Sequence, residues 1–482
     1  MVELSRRRFL EGSVLAAAAA SVGAKAGLPA EARSLGRAKA GANERLRIAV
    51  AGVRGQGGTH VRLWSKMKDV EVAAICDVDE NIIAEPMKAA EAGSGKKPQY
   101  YKDFRKLVED KSIDAVSIAT CNHTHTLLAL WAVQAGKDVY VEKPLSHTVW
   151  EGRKLVEAAG KYGRIVQHGT QSRSDGRRRQ AVQYVRDGKL GKLQVSRGLC
   201  YKLRKSIGKK VDAPIPPGVD YDLWLGPAPV RPWNPNRFHY EWHWNWEYGN
   251  GDIGNQGIHE MDIARWGACK DGLPRKVISI GGRFGYEDDG QTPNTQIALF
   301  DYGDRLVIFE VRGLPTEEYK ETLIGDVFHG SEGTIAAHGK GVVATDAKGE
   351  RIKTFSWDGS VDHYRNFLDC IRSRKQEDVS ANVLEGHLSC VLVHAANISY
   401  RLGEPQPLSK EEPFGSYAEG NETFRRYRDH LKANGIPIEK TMHRVGRILE
   451  FDPAREAFVG DSEANALLRR EYRKPFEVPE LV

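Results

Sequence analysis

The feature that most constrains this chain is an alternation of short apolar runs with helical patterns, starting at Leu46. The first run, LRIAVAG, ends in glycine and leads into a helical segment that extends to about Lys68. VEVAAICD, DAVSIAT and KDVYVEK follow in the same rhythm, and RIVQHG at 164–169 closes the series. Apolar strands separated by helices form parallel sheets that are covered on both faces. We therefore predict such a domain over residues 45–170.

After about residue 190 the pattern changes to longer alternating strands with few helices between them. LQVSRGLCYK, KVISIGGRFG, TQIALFDYG and RLVIFEVRG are the main examples. This alternation favours an open, mainly antiparallel sheet. We predict an α/β fold with a second domain over residues 171–405 for substrate binding and oligomerisation. A charged tail, 406–482, is expected to pack on the surface or on a partner subunit.

The first 44 residues predict an export signal and a leader. SRRRFL at 5–10 matches the twin-arginine pattern, and an alanine-rich run ending in AKA at Ala26 follows it. A disordered basic N-terminus is the alternative, and an uncleaved signal acting as an anchor is also left open. The prediction is export by the Tat machinery to the periplasm.

Composition argues against several classes of protein. The net charge is +7 over 482 residues, and no basic block of the nucleic-acid-binding kind is present. No apolar stretch approaches the roughly 18 residues of a membrane span, so no stable membrane insertion is expected after signal cleavage. The six cysteines form no CxxC pair. We expect buried free thiols and no metal site.

The segment AGVRGQGGTH lies at the first strand-to-helix turn and predicts a dinucleotide site. Gly52, Gly55 and Gly57 would let the backbone approach a pyrophosphate at the helix N-terminus. A strict G-x-G-x-x-G would have its second glycine where this chain has Arg54. Asp77 ends the second strand about 20 residues after Gly57, where it can accept hydrogen bonds from the ribose of NAD. An ordinary tight turn is the alternative.

The cofactor prediction favours NAD, because a carboxylate at Asp77 repels the 2′-phosphate of NADP. Arg54 could partly offset that repulsion, so NADP is the less favoured alternative. Two later strand ends fall at the same edge of the sheet: TCNHTH at 120–125 and EKP at 142–144. A surface Lys-Pro turn is the alternative for EKP.

The glycine-rich turn, the strand-ending Asp77, TCNHTH and EKP together resemble the Gfo/Idh/MocA oxidoreductases, from about Leu46 to Gly403. The resemblance implies a Rossmann domain, an open-sheet α/β domain, a nicotinamide cofactor and a carbohydrate or polyol substrate. It also implies a homodimer or homotetramer built on the open sheet. The resemblance assigns the catalytic lysine to Lys143 and the cofactor-binding candidates of the two strand-end segments to Thr120, Asn122, His125, Glu142 and Lys143. Cys121 stands where the family usually has proline.

The stretch RFHYEWHWNWEYGNGD, 237–252, is unusually aromatic and predicts a substrate-facing strand. Trp242, Trp244 and Trp246 recur with period two, so a strand would place them on one face. Aromatic faces suit the C–H faces of sugar rings, and a buried apolar face or a subunit interface is the alternative. The substrate-binding candidates are Tyr201, Arg204, Trp242, His243, Trp244 and Asp252.

His259 is the candidate proton acceptor. A helix starting near Asn255 would place Asn255, His259 and Asp262 on one face, and histidine suits proton transfer near neutral pH. A structural histidine is the alternative, but the resemblance favours catalysis, because the family has an Asp-x-x-x-His motif on this helix.

The chain departs from that motif at Asn255, where an amide can orient the ring but carries no charge. A helix N-cap is the alternative role. Asp252 or Asp262 could supply the missing charge, and Asp262 is kept as a catalytic candidate. We predict that His259 titrates lower than in an Asp–His version.

Export and a nicotinamide cofactor together predict tightly held NAD, because the periplasm keeps no free nicotinamide pool. The leading hypothesis is an oxidoreductase that acts on a sugar, sugar derivative or polyol. The second is a redox-neutral NAD-dependent glycosidase or lyase that works through a transient keto-sugar. The third is a non-catalytic sugar-binding protein.

Overall fold

The computed structural model describes residues 45–268, 272–360 and 362–482. Residues 1–44, which carry the predicted signal, and Cys269 lie outside the described residues. The cysteines within them, Cys76, Cys121, Cys200, Cys370 and Cys390, are free thiols. Within these ranges, none of the helices has the length and apolar character that a membrane span requires.

The first part of the chain folds into one parallel sheet, as predicted. Its strands are β1 (Leu46–Ala51), β2 (Val70–Cys76), β3 (Gln99–Tyr101), β4 (Ala115–Ile118), β5 (Asp138–Val141) and β6 (Val166–His168), in the spatial order β3-β2-β1-β4-β5-β6. Between them lie α1 (Gln56–Ser65), α2 (Ala84–Ser94), α3 (Phe104–Glu109), α4 (Asn122–Gln134) and α5 (Val149–Tyr162). The order reverses between β1 and β4, and the carboxyl ends of strands at such a point form a crevice.

The second sheet has 12 strands and is mostly antiparallel, which confirms the predicted open sheet. The strands are β7 (Leu193–Cys200), β8 (Lys276–Gly282), β9 (Thr295–Asp301), β10 (Leu306–Arg312), β11 (Ile324–Gly330), β12 (Gly333–His338), β13 (Gly341–Asp346), β14 (Arg351–Thr354), β15 (Glu404–Pro407), β16 (Met442–Val445), β17 (Leu449–Asp452) and β18 (Ala457–Phe458). The main path is β14-β13-β12-β11-β7-β10-β9-β8-β16-β15. Strands β7 and β10 pair in parallel.

The helices of this second part are α6 (Gly176–Arg186), α7 (Tyr221–Leu225), α8 (Gly251–Asn255), α9 (Gly257–Ala268), α10 (His363–Ser373), α11 (Val383–Arg401), α12 (Ala418–Ala433) and α13 (Ser462–Ala466). Residues after 405 do more than lie on the surface, because β16 and β17 both pair with β8. The side chain of Phe476 then packs near Trp131, with ring centroids 6.3 Å apart. The tail is therefore an integral part of the fold.

The Trp-rich segment is not a strand, and that prediction was wrong. Residues Glu241–Trp244 form a 3-10 helix. Local hydrogen bonds close this turn: the Trp244 indole donates to Glu241 over 3.0 Å, and the Asn245 backbone N–H donates to the Trp242 carbonyl over 3.1 Å. Such local bonds compete with the ladder of a strand. The tryptophans therefore do not share one face.

The single helix expected from Asn255 is two helices. Helix α8 ends at Asn255, and α9 begins at Gly257. A Cβ on Gly257 would lie 2.9 Å from the Phe309 ring and 3.0 Å from the Asp252 carbonyl oxygen, so this junction requires glycine. Asn255 and His259 consequently belong to different helices.

Candidate active site

A cavity of about 500 Å³ lies at the carboxyl ends of β1, β2, β4 and β5. The glycine-rich turn, Asp77, the segment after β4, and Glu142 with Lys143 form one wall. Residues 238–243 and the junction between α8 and α9 form the opposite wall. Both sheets therefore contribute to one cavity.

The glycine-rich turn is packed too tightly for side chains at two of its glycines. Gly52 has a φ of 77°, and a Cβ there would lie 2.7 Å from the Ala119 carbonyl oxygen. A Cβ on Gly57 would lie 1.6 Å from the Gly52 carbonyl oxygen. A Cβ on Gly55 would meet nothing within 4 Å, and Gly55 lines the cavity. Arg54 is exposed at the same wall.

Asp77 ties this turn to the end of β2. One carboxylate oxygen accepts from the Val53 backbone N–H over 2.7 Å, and the other accepts from Asp79 over 3.0 Å. Burial raises the pKa of Asp77 to about 6, although the backbone hydrogen bonds oppose this shift. The carboxylate is thus ionised at neutral pH and lines the cavity.

These residues fit NAD. The turn exposes a helix N-terminus with a flat glycine surface for a pyrophosphate, and Asp77 offers acceptors for ribose hydroxyls. Asn122 adds a buried amide oxygen that has no hydrogen-bond partner in the described part of the chain and lines the same cavity. Its amide nitrogen donates to Asn250 over 3.1 Å.

His125 and Glu142 brace the loops of the site. The two ring nitrogens of His125 lie 2.8 Å from the Pro144 carbonyl oxygen and 3.0 Å from that of Thr120. Burial lowers the pKa of His125. Burial acts to raise the pKa of Glu142, but the hydrogen bond and charge of His60 outweigh it and hold that pKa below its usual range. The His60 contact was not predicted, since nothing in its sequence context marks it.

Lys143 projects across the cavity. The Lys143–Pro144 peptide bond that follows it is cis. Its ammonium donates to the Asn255 backbone carbonyl over 3.0 Å and faces the Asn255 side-chain oxygen at 3.4 Å. The Asn255 amide nitrogen donates to the Tyr240 hydroxyl over 3.1 Å. Asn255 therefore orients Lys143, rather than His259 as expected. Both acceptors are neutral, so the carboxylate that acts on the lysine charge is that of the neighbouring Glu142.

His259 lines the cavity, and its ring has no hydrogen-bond partner among the described residues. Burial, and then the charge of Lys143, lower the pKa of His259 to about 3, although Glu142 and Asp262 oppose the shift. The imidazole is therefore neutral at physiological pH.

Neither aspartate considered as a substitute carboxylate bonds to His259. Asp262 accepts two hydrogen bonds from Arg173, at 2.7 and 3.0 Å, and a third from Ser389. Asp252 accepts two from Arg204, at 2.8 and 2.6 Å. Neither residue lines the cavity. The charge missing at Asn255 is thus not replaced by direct contact.

The substrate candidates divide into two groups. Trp242 and His243 line the cavity, with their rings stacked at a centroid distance of 3.6 Å. The other candidates lie outside it: Tyr201, Arg204, Trp244 and Asp252. Tyr201 directly follows β7. Its hydroxyl donates to Glu310 over 2.7 Å and so belongs to a buried ionic cluster on the second sheet.

Several residues of the cavity were missed by sequence reasoning. Tyr240 belongs to the aromatic stretch and could have been chosen with its tryptophans. His239 lies in the same stretch, and Gln256 follows Asn255, whereas Gln171 and Phe476 come from distant segments and carry no local signal. Lys202 was not missed: the segment CYKLRKS at 200–206 offers it as a polar candidate beside Tyr201 and Arg204, and it lines the cavity and donates to Gln256 over 2.8 Å.

Comparisons with known proteins agree with this architecture. Residues 46–170 match the Gfo/Idh/MocA oxidoreductase family, NAD-binding Rossmann fold, and residues 192–413 match the C-terminal alpha/beta domain of that family. The chain is 26% identical over 382 residues to a myo-inositol 2-dehydrogenase of Thermotoga maritima, covering 77% of this chain and 100% of the relative.

Two further similarities are narrower. A glycosyl hydrolase family 109 protein of Shewanella sp. strain ANA-3 is 30% identical over 174 residues, which is 33% of this chain and 38% of the relative. The solved structure of a levoglucosan dehydrogenase with NADH superimposes with a TM-score of 0.56 at 17% identity, covering 73% of this chain and 96% of that one. The chain belongs to the Gfo/Idh/MocA oxidoreductase family, with NAD as its cofactor.

Proposed function

We propose that this protein oxidises a CH–OH group of a sugar, sugar derivative or polyol, with His259 as the proton acceptor and Lys143 polarising the reacting oxygen. The observation that carries the proposal is that the Lys143 ammonium and an unpartnered, neutral imidazole, that of His259, share the NAD cavity. Bound NAD supplies the hydride acceptor at C4 of its nicotinamide.

The residues divide the work as follows. Lys143 has three N–H donors, of which two face the oxygens of Asn255, so one is left for the substrate oxygen. A cation there stabilises negative charge as it develops on the oxygen. His259 takes the hydroxyl proton. Trp242 and His243 provide a flat stacked wall for a ring, and Lys202 a polar one.

The substrate class is inferred from relatives and from the cavity together. A relative named myo-inositol 2-dehydrogenase aligns over its whole length with this chain. The cavity combines aromatic rings with amide, ammonium and imidazole groups, which suits a polyhydroxylated ring.

We further propose that the protein is exported through the Tat route and acts in the periplasm with NAD that it does not exchange. The twin-arginine pattern at residues 5–10 supports this proposal. A retained cofactor must return to its starting state in each cycle, so the oxidoreductase would oxidise one sugar or polyol and pass the hydride to a second sugar as acceptor. A homodimer or homotetramer built on the second sheet is proposed with it, from the family resemblance.

The second candidate function is redox-neutral cleavage through a transient keto-sugar. The similarity of one third of this chain to a glycosyl hydrolase family 109 protein favours this function. Oxidation of a CH–OH group to a ketone makes the C–H bond on the neighbouring carbon more acidic. Loss of that proton allows a leaving group to be eliminated, and reduction of the ketone then restores the cofactor. A non-catalytic sugar-binding protein is the third candidate, and the free imidazole beside Lys143 argues against it.

A panel of polyols, aldoses and glycosides tests these functions. The purified protein is incubated with each compound and NAD in D₂O, and products are identified by mass spectrometry. We expect a keto product for the oxidoreductase. A cleaved glycoside with solvent deuterium on the adjacent carbon would select the second function. No chemical change in any compound, despite bound NAD, would leave the binding protein.

Substitution of Lys143 by methionine tests its assigned role on the compound that this panel selects. Loss of the ammonium removes charge stabilisation from the reacting oxygen, so we expect kcat to fall by about a hundredfold or more. NAD affinity, measured by fluorescence titration, is expected to change little. A kcat close to that of the wild type would remove Lys143 from the mechanism.

A further inference from the structure

A second cavity, of about 550 Å³, lies between the C-terminal half of α11 and residues 467–473. Four arginines line it: Arg401, Arg469, Arg470 and Arg473. Its two carboxylates do not balance them, because Glu247 is paired with Arg231 at 2.5 Å and Glu471 is exposed. Three of the arginines have carboxylate partners outside the lining, so the excess positive charge of the cavity rests on Arg401.

Arg401 is the arginine with the least compensation. Its guanidinium forms no hydrogen bond or ion pair with the residues that the structure describes, and it lies 5.4 Å from the centroid of the Trp246 ring. Arg401 is exposed to solvent at the C-terminal end of α11, so its guanidinium is accessible to a ligand. By contrast, Arg469 pairs with Glu480, and Arg473 pairs with Asp222 at 2.5 Å.

Arg470 and His147 add unused donors to the same cavity. Arg470 donates through Nε to Glu151 over 2.8 Å and through Nη2 to the His123 carbonyl over 2.6 Å, but its Nη1 is buried without a partner. Both ring nitrogens of His147 are also buried without a partner. Burial, and then the charges that include Arg470 and Arg401, hold the pKa of His147 far below its ordinary value. All three side chains line this one cavity.

We propose that this cavity binds a small organic anion whose phosphate or carboxylate group lies between Arg401, Arg470 and His147. Oxygens of such a group can accept from the guanidinium forks and from the one N–H of a neutral imidazole. The rings of Trp246 and Tyr472 and the side chain of Ile398 line the rest of the cavity, which suits an apolar or ring-shaped ligand body.

The proposed anion site is separate from the NAD cavity but is connected to it through Asn250. The Asn250 side chain accepts from Asn122 of the NAD cavity over 3.1 Å and donates to the His147 carbonyl over 3.3 Å. Its own carbonyl accepts from Asn397, which lines the second cavity. The two cavities share no lining residue, so a ligand of the second cavity can be identified independently of the substrate.

Isothermal titration calorimetry on the full chain tests the proposal with two probes, inorganic phosphate and succinate. Saturating NAD is present, so that the glycine-rich turn cannot bind the phosphate. We expect saturable binding of at least one probe, and the preferred probe distinguishes a phosphate ligand from a carboxylate ligand. Absence of saturable binding of both probes would overturn the proposal.

Arg401→Met is the decisive variant, because Arg401 makes no hydrogen bond or ion pair within the described chain whose loss would unfold the protein. We expect at least a tenfold weaker affinity for the probe. Arg425→Met, at an exposed arginine of α12 outside both cavities, is the matched control and should bind as the wild type does. Equal affinities of the wild type and Arg401→Met would place the anion elsewhere and overturn the proposal.

Discussion

At the scale of single residues, Asn255 sets the charge balance of the catalytic cavity. Its two oxygens lie 3.0 and 3.4 Å from the Lys143 ammonium and offer only neutral acceptors. Burial is the main cause of the low pKa of His259; the charge of Lys143 adds to it and Glu142 opposes it. In the account proposed above, the neutral amide of Asn255 leaves the contribution of Lys143 in place.

The substitution Asn255→Asp tests this charge balance. A carboxylate beside Lys143 would neutralise the ammonium and attract a proton to His259, so the pKa of His259 should rise by about one unit or more. Because a base must be unprotonated to act, the acid limb of the kcat/KM profile should move to higher pH. The measurement is kcat/KM against pH for both proteins.

The control for this prediction is Asn434→Asp, which adds the same charge outside the cavity, at the end of α12. It should leave the pH profile where the wild type has it. If Asn255→Asp also left the profile unmoved, Asn255 would not control the protonation of His259.

Asp77 offers a second prediction at this scale, concerning the choice of cofactor. Replacing it with alanine removes the charge that repels a 2′-phosphate, while the exposed Arg54 stays at the same wall. We expect the ratio of the NAD affinity to the NADP affinity to fall by about tenfold or more. A tenfold change corresponds to about 1.4 kcal/mol of binding free energy. Fluorescence titration with both nucleotides measures the ratio, and an unchanged ratio would contradict the assignment.

At the scale of elements, the glycine-rich turn depends on close backbone packing. Gly57→Ala would force a methyl group to within 1.6 Å of the Gly52 carbonyl oxygen, so the turn must shift. We expect the free energy of unfolding to fall by about 1–3 kcal/mol and NAD binding to weaken. Chemical denaturation measures the first effect. Gly55→Ala is the control, because its methyl group meets nothing within 4 Å and should leave stability unchanged.

Helix α9 is anchored by a buried ionic cluster that includes Arg173, Asp262, Arg265 and Glu385. Asp262→Asn would leave Arg173 without one of its carboxylates, and breaking such a buried pair costs about 3–5 kcal/mol. We expect this loss in denaturant unfolding. The exposed pair Arg231–Glu247 provides the comparison, since Glu247→Gln should cost at most about 1 kcal/mol. A stable Asp262→Asn protein with a shifted pH profile would instead make Asp262 a partner of His259.

Sequence patterns predicted the elements whose character is local. The strands from Leu46 onward were recognisable as continuous apolar runs, the pattern of strands buried on both faces. The strands after residue 190 were recognisable by alternating residues, the pattern of strands buried on one face. The Trp-rich segment was wrongly predicted as a strand. Its tryptophans recur with the period of a strand, but side-chain hydrogen bonds of Glu241 and Asn245 close a turn there. The break before Gly257 likewise depends on Phe309, which a local pattern cannot include.

The candidate site shows the same limit. Lys143 and His259 were predicted from motif and resemblance, and the structure brings both to one cavity. The contact of Asn255 with Lys143 instead of His259 could not be predicted, because it depends on how two domains meet. Gln171 and Phe476 reach the cavity from segments far apart in the chain for the same reason.

At the scale of the whole molecule, the first sheet provides the NAD crevice, and helix α9 of the second part brings His259 to it. The segment after residue 405 strengthens this arrangement, because its strands extend the second sheet and Phe476 reaches the cavity. A cofactor enclosed by three parts of the chain is suited to retention. Retention is what the proposed export requires, since no external pool would replenish it.

The measurement that tests this account most directly is the nucleotide content of the purified protein. The protein is incubated with NAD, freed of unbound nucleotide by gel filtration and then denatured, and the released nucleotides are identified by mass spectrometry. The account predicts NAD or NADH at close to one molecule per chain. Protein that releases no nicotinamide nucleotide after this treatment would contradict a tightly held cofactor and the oxidation mechanism built on it.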